Sequence, residues 1–441
     1  RWPRRYWGGE VYGHPVGVSL GMSFRRFRGL VDGPVGAVTP TAPTERLDAK
    51  RRAALGLPAK PVPAAIVPIW VTVDVPAGAR AGMYAGTLAV SVKGRKDVAV
   101  PIELEVFDWA LPALKDRASE LSIYQSPDTV AAFYKVPLWS RRHWALMERS
   151  VKLLGEIGNH TIAIPLVTRE QLGHAESFVR VTRKPDGSYD CNTAVMDRYL
   201  DLYLKHHDRD QIDAVCLLVW GMTSMPKGNP FKTDKYVNGW PSDTRGQYMV
   251  TTLDPKTGQV GEMPLPPLGS AEYKAFWRQV LAAARASLAR RGLADKMLLG
   301  LPADPGVPVA AAAMFHDLQP DVGWFLACHP GGTRFRYDPK DRRKTVPVVH
   351  SERVYTGAIP DPAIKRLFGW QDKQMKLAFN RYGFGPVVLY PDPSLWALRV
   401  VQEADLAANH RGAGRLGADY WTMTGAAGKR VSFTYRYLPS R

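Results

Sequence analysis

Hydrophobic positions in this chain fall in short runs rather than long stretches. Between Ser122 and Met423 the runs are Ser122–Tyr124, Thr161–Val167, Ala214–Trp220, Met297–Leu301, Val322–Cys328, Val346–Val349, Pro386–Tyr390 and Gly417–Trp421. Runs of this length, bounded by polar or turn residues, predict buried strands. Most are separated by segments whose apolar residues recur three and four apart, the spacing of a helix face. Ser140 caps a predicted helix with Trp144, Met147, Val151 and Leu154 on one face. Ser270 caps another, through Phe276, Val280, Ala283 and Leu288, which stops at Gly292. Met196–Leu204, Pro308–Leu318, Ala363–Phe379 and Ser394–Ala408 supply further helical segments. Eight βα units over about 300 residues match the count and size of a (β/α)8 TIM-type barrel, whose working residues stand at the C-terminal ends of the strands.

Residues 1–112 read differently. Ile66–Val75, Tyr84–Val92 and Val98–Phe107 are strand-like, with turn material at Ala77-Gly78 and Gly94, and Pro43–Leu55 is the one helical segment. Repeated strands of this kind predict an N-terminal β-sandwich, so the chain is expected to be a multidomain protein with an all-β domain over 1–112 and an α/β barrel over 113–441. A long insertion at about 221–269 follows the third barrel strand, too long for an ordinary connection. Within it, Met249–Leu253 and Gln259–Met263 flank the turn Asp254–Gly258 and predict a hairpin. Such an insertion overhangs the active face as a lid or substrate wall.

Composition narrows the class. The 441 residues are 45% hydrophobic and 23% charged, ordinary for globular domains. No apolar run approaches the ~18 residues of a membrane span. The chain opens at Arg1 without a charged-then-apolar leader, which reads as a removed signal peptide or a trimmed start. Cys191, Cys216 and Cys328 have no spacing pattern, so neither a disulfide framework nor a cysteine zinc site is expected. Net charge is +18, a field that favours anionic partners such as an acidic polysaccharide. Its basic runs, among them Lys50–Arg52 and Lys340–Lys344, come without a nucleic-acid motif, and no nucleic-acid partner is expected. Gly331-Gly332 lacks the Gly-Lys-Ser/Thr of a phosphate loop, and no Gly-x-Ser-x-Gly elbow occurs, so no cofactor is expected. The sequon Asn159-His160-Thr161 enters an apolar strand and is discounted as a glycosylation site. Oligomeric state is not legible.

The strand ends gather the candidate chemistry. Glycoside cleavage needs an acid near the leaving oxygen and a base or nucleophile across the sugar ring. Asp304, Glu352 and Asp392 are the carboxylates positioned to serve. Tyr124, Trp220, Tyr390 and Trp421 offer aromatic faces for sugar rings, and His329, His350 and Arg353 offer hydrogen bonds. The first strand also brings Gln125 and Asp128. A metal site would need both histidines and a carboxylate, which their spacing does not favour, so none is expected.

The segments Val71–Pro76 (VTVDVP), Gly82–Thr87 (GMYAGT), Val100–Val106 (VPIELEV) and Phe107–Pro112 (FDWALP) resemble the N-terminal β-sandwich of glycoside hydrolase family 123. That family's order of sandwich then (β/α)8 barrel is also similar. The resemblance implies an enzyme like the β-N-acetylgalactosaminidases, which retain configuration with the help of the substrate's acetamido group. It implies an acidic pair after the fourth strand. There this chain has Ala303 where the family has the carboxylate that stabilises the oxazoline, and Asp304 where it has the acid. Asp304 is a methylene shorter than the family's glutamate, about 1.5 Å less reach. The reading is a secreted, periplasmic or cell-surface carbohydrate-active protein that acts as a glycoside hydrolase. The alternative is a catalytically inactive glycan-binding or cell-surface structural protein on the same fold.

Overall fold

The computed structural model describes residues 36, 48–54, 56, 60, 71–117, 120–168, 170, 172–219, 249–301, 307, 309–328, 334–354, 375–379, 412–420, 423–424 and 430–431. The chain divides into two compact units, Arg1–Leu111 and Pro112–Arg441.

The first unit contains α1 (Ala49–Ala54), β1 (Gly82–Val90) and β2 (Val98–Val106). β1 and β2 pair antiparallel without a break from Gly82↔Val106 to Val90↔Val98. Residues 71–76 take no ladder position, and the rest of the expected strand Ile66–Val75 lies outside the described residues. Among those residues this unit holds one two-stranded sheet.

The second unit is a mixed α/β assembly. In chain order it runs β3 (Glu120–Gln125), α2 (Pro127–Tyr134), α3 (Arg141–Glu156), β4 (Thr161–Pro165), β5 (Arg180–Arg183), β6 (Tyr189–Asn192), α4 (Ala194–His206) and β7 (Ala214–Leu218). It continues through β8 (Met249–Leu253), β9 (Val260–Pro264), α5 (Ala271–Ala289), β10 (Met297–Leu301), α6 (Val309–Leu318), β11 (Trp324–Cys328), β12 (Arg334–Arg336) and β13 (Thr345–Val354). β14 (Met375–Phe379), β15 (Gly412–Ala418), β16 (Met423–Thr424) and β17 (Arg430–Val431) complete it. Eight strands form one ladder in the order β3-β15-β14-β13-β11-β10-β7-β4, and each neighbouring pair is parallel. The ends of this ladder, β3 and β4, meet at one isolated parallel bridge, Leu121↔Asn159. Asn159, 1% exposed, stitches that seam with its side chain. Its Oδ1 accepts from Ile123 N at 2.8 Å, and its Nδ2 donates to Thr161 O at 2.9 Å and to Ile123 O at 3.3 Å. The amide of the discounted sequon is thus consumed inside the fold.

Strand alternation sorts side chains onto two faces. On β7, Val215 and Leu217 join a large apolar cluster with Trp144 and Met147 of α3, Tyr199 of α4, Phe276 and Trp277 of α5 and Phe315 of α6. Ala214, Cys216 and Leu218 of the same strand join a smaller cluster with Tyr124, Leu298, Phe325, Leu172 and Tyr420. The helices therefore cover one face, and a compact interior fills the other. Gly300 belongs to that interior, where a Cβ would stand 1.8 Å from Cys216 Sγ. Cys216 is a buried thiol, not part of a disulfide, that occupies this space. The two helices expected to start at serines do so: Ser140 Oγ accepts from His143 N at 3.2 Å and Ser270 Oγ from Tyr273 N at 3.0 Å.

Several expected boundaries differ. Met375–Phe379, read as the end of a helix, is β14 and holds the seventh ladder position expected of Pro386–Tyr390, which lies outside the described residues. A five-residue apolar run cannot be sorted between helix and strand by periodicity alone, and the parallel neighbour β13 decides. The sixth strand extends to Val354, so His350, Glu352 and Arg353 lie within it instead of following it. The hairpin expected inside the insertion is β8–β9, and it joins the unforeseen hairpin β5–β6 in a separate four-stranded sheet ordered β6-β5-β8-β9.

Candidate functional site

The ladder is parallel, so the C-terminal ends of its strands share one rim. Around the ends of β3, β4 and β15 the side chains interlock. Gln125 closes β3, and Ser126 N–H donates to Ala418 O at 3.1 Å across to β15. Ser126 then caps α2, its Oγ accepting from Thr129 N at 3.2 Å, and Pro127 takes the first helical position. Asp128 follows, 4% exposed. Its Oδ1 accepts from Ala175 N at 2.8 Å, which ties the segment after β4 to the end of β3. In that segment Glu170 Oε2 accepts from Leu172 N at 2.5 Å and Oε1 from His174 N at 3.2 Å. Glu170 Oε1 also pairs with His174 Nδ1, and both side chains are buried.

Beside this cluster the end of β15 makes a strained turn. Asp419 has φ 67, the left-handed region, which costs a non-glycine residue about 1 kcal/mol. It is held by Gln125 Nε2 donating to Oδ2 at 2.9 Å and Ser150 Oγ donating to Oδ1 at 2.8 Å. Tyr199 Oη donates to Gln125 Oε1 at 3.2 Å and completes the network. The turn delivers Tyr420, whose ring lies back on Gly417; a Cβ there would fall 2.5 Å from Tyr420 Cδ2. Below the rim, His143 receives Trp139 N–H at Nδ1 (3.0 Å), so its Nε2 carries the proton toward Pro127 O at 2.9 Å. Burial keeps this imidazole neutral, its pKa lowered despite the Pro127 carbonyl.

Burial also governs the acids. It raises the Asp128 pKa to about 6, against the opposing pull of the His174 charge and the Ala175 N–H. A helix N-terminus favours an ionised carboxylate by only about 0.3–1 kcal/mol, too little to reverse this. His174 is pulled down by burial, but the charge and hydrogen bond of Glu170, with Asp128 behind, leave its pKa raised. Burial raises Asp419 as well, opposed by its two hydrogen-bond donors. The rim thus carries two raised carboxyls, Asp128 and Asp419, one imidazole biased toward the cation, and Glu170 between its two backbone donors. Among the described residues no group of three or more His, Cys, Asp or Glu is arranged to hold a metal.

Of the residues expected at the site, Tyr124 and His350 are described in full. Both are buried and meet at one ring: Tyr124 stands edge-on to Phe325 at 6.3 Å, and His350 stacks on it at 4.2 Å. Tyr124 is 2% exposed and belongs to the smaller interior cluster with Phe325. Glu352 and Arg353 are placed by backbone register, level with Ala327 and Cys328 of β11 and with Leu377 and Ala378 of β14. Asp304, Asp392, Trp220, His329, Tyr390 and Trp421 lie outside the described residues. Sequence reasoning reached Gln125 and Asp128 but missed Glu170, His174, Asp419 and Tyr420. The readable signal was Glu170 and His174 four apart, just after the apolar run Thr161–Val167.

Comparison with known proteins supplies the family. The family model described as Glycoside hydrolase 123, catalytic domain, matches residues 124–355, more than half of the 441. The chain belongs to this family of glycoside hydrolases. A family 123 glycoside hydrolase from Clostridium perfringens, solved in a study of glycolipid glycan hydrolysis, is similar at TM-score 0.44 and 13% identity, over 65% of this chain and 43% of that one. The chain therefore spans less than half the length of that neighbour. No curated protein matches it by sequence.

Proposed function

We propose that this chain hydrolyses glycosidic bonds at the shared rim, with the eight-stranded ladder closing at the Asn159 seam into a (β/α)8 barrel and β1–β2 belonging to an N-terminal β-sandwich. The observation that carries this reading is the family match laid on a ladder whose strands all run one way. In such a barrel every strand end feeds one mouth. Asp304 and Asp392 follow the ends of β10 and β14 in sequence and are proposed as carboxylates of the reaction. Glu352 is the third, within β13 two residues nearer its C-terminal end than His350. Trp220, His329, Arg353, Tyr390 and Trp421 are proposed to contact sugar, with a secreted, periplasmic or cell-surface location to match a glycan substrate.

Ala303 favours a second reading, glycan binding without cleavage, because one family carboxylate is missing there. Turnover of an aryl β-N-acetylgalactosaminide separates the two. If the chain is a hydrolase, Asp304→Asn and Glu352→Gln each lower kcat/KM by about 100-fold or more, the scale of a lost acid or base. Unchanged turnover in both variants removes these residues from the mechanism. Glycan retention on an array without product release supports the binder.

A further inference from the structure

The helix α2 starts at the rim with Asp128 and ends on two aromatic rings in water. Phe133 is 54% exposed and Tyr134 41%, and they meet edge to face with centroids 5.1 Å apart. Exposed apolar groups scattered singly need no explanation, whereas adjoining ones mark a contact surface. The turn that follows is fixed in shape. Val136 N–H donates to Ala131 O at 2.9 Å, Ser140 N–H to Pro137 O at 3.3 Å, and Trp139 Nε1 to Glu176 Oε2 at 3.0 Å. Within that turn both Lys135 (φ 53) and Trp139 (φ 62) take the left-handed conformation. Two non-glycine outliers so close together point toward function.

Cations occupy the same area. Lys135, Arg141 and Arg142 are exposed and make no ion pair among the described residues. The chain has no acid between Asp128 and Glu148. Asp128 is buried, Glu148 is paired with Lys205 and His206, and Glu176 with Arg180. Arg141 and Arg142 open α3, where the helix dipole disfavours a cation, so the stability of the helix does not account for them. His143 Nε2 donates to Pro127 O at 2.9 Å, so α3 begins beside the start of α2. The rings stand at the other end of α2, whose eight residues span about 12 Å. Rings and cations thus lie within one short helix length of each other, next to the rim.

We propose that this surface docks on an anionic lipid bilayer, with Phe133 and Tyr134 entering the headgroup layer and Lys135, Arg141 and Arg142 against its phosphates. A bilayer boundary offers an apolar phase for rings and negative charge for Lys and Arg at one depth. A soluble polyanion meets the cations and leaves the rings in water. No helix among the described residues is long and apolar enough to cross a membrane, so this contact is with the surface. The proposal concerns binding and stands whether or not the chain cleaves glycosides.

The full chain is cosedimented with vesicles of equal parts phosphatidylcholine and phosphatidylglycerol, and with vesicles of phosphatidylcholine alone. Wild type is expected to bind the anionic vesicles and not the neutral ones. Replacing Lys135, Arg141 and Arg142 together by Ser should weaken binding about 100-fold, at about fivefold per cation. Phe133→Ser with Tyr134→Ser should weaken it about tenfold. Because net charge is +18, a control removes the same charge elsewhere: Lys93, Arg95 and Lys96, exposed in the turn between β1 and β2, are replaced by Ser. The control should bind like wild type, and all five single or combined sites are exposed, so each Tm should stay near that of wild type. An equal loss in the control overturns the proposal in favour of a diffuse charge effect. Unchanged binding by either patch variant overturns it, as does equal binding of wild type to both kinds of vesicle or to neither. Binding to soluble heparin as tight as to the anionic vesicles, and insensitive to loss of the two rings, makes the surface a polyanion site and overturns it too.

Discussion

The two faces of the eight-stranded ladder are made from the same strands, yet their chemistry differs. The outer face is a continuous apolar layer in which Trp277, Phe315, Trp324 and Phe335 pack edge-to-face in series. The inner face is smaller, holds a thiol against a glycine, and ends at a rim of buried acids, imidazole and phenol. Apolar area and ring contacts make the outer face the main source of stability. The inner face gives up such contacts for groups that water or a ligand must satisfy.

Truncating the outer face should have the largest effect. Trp277→Ala is expected to lose about 3–5 kcal/mol in denaturant unfolding, the cost of a cavity under a fully buried ring. Crowding the inner face comes next. Gly300→Ala drives a methyl into Cys216 Sγ and should cost about 1–3 kcal/mol, partly restored in the double variant with Cys216→Ala. A double-mutant cycle with no coupling would show that the two residues do not share this space.

The rim should respond to pH. Asp128 holds its proton to about pH 6 in the fold, against 3.8 when unfolded, so the native state binds more protons between those values. Its contribution to stability is therefore fully present below pH 3.8 and is lost as pH rises toward 6. His174, also raised, loses its contribution as pH climbs past its unfolded value of 6.5, in the same direction. Glu170, Glu176 and Tyr420 face the same carboxyl. Asp128→Asn keeps an acceptor for Ala175 N–H and removes the titration. The difference between wild-type and variant stability should change by on the order of 2 kcal/mol from pH 4 to pH 6. A flat difference would mean that water reaches Asp128 freely. The smallest effect falls at the helix starts, where Ser140→Ala or Ser270→Ala should cost about 1 kcal/mol each.

What the sequence made legible follows from locality. Serine caps, the turn at Gly94 and the apolar runs of β4, β7, β10 and β11 are set by neighbours in the chain, and they could be read there. Met375–Phe379 could not, because its strand identity comes from pairing with β13. The rim was harder still. Asp128 meets Ala175 across 47 positions, and Gln125 meets Asp419 across 294. No local pattern announces either contact, although Glu170 with His174 offered a hint. The Ala303-Asp304 departure was visible in one line of residues, because a motif is contiguous by definition.

Asn159 carries a practical consequence for making this protein. It is followed by His160 and Thr161, so the secretory pathway of a eukaryotic production host recognises it as an acceptor while the chain is still emerging. An oligosaccharide attached there has no room beside a side chain 1% exposed between the first and last staves of the ladder. Material from yeast or mammalian cells would split into an unmodified fraction that folds and a glycan-bearing fraction that does not, whereas a bacterial host without that transferase avoids the loss.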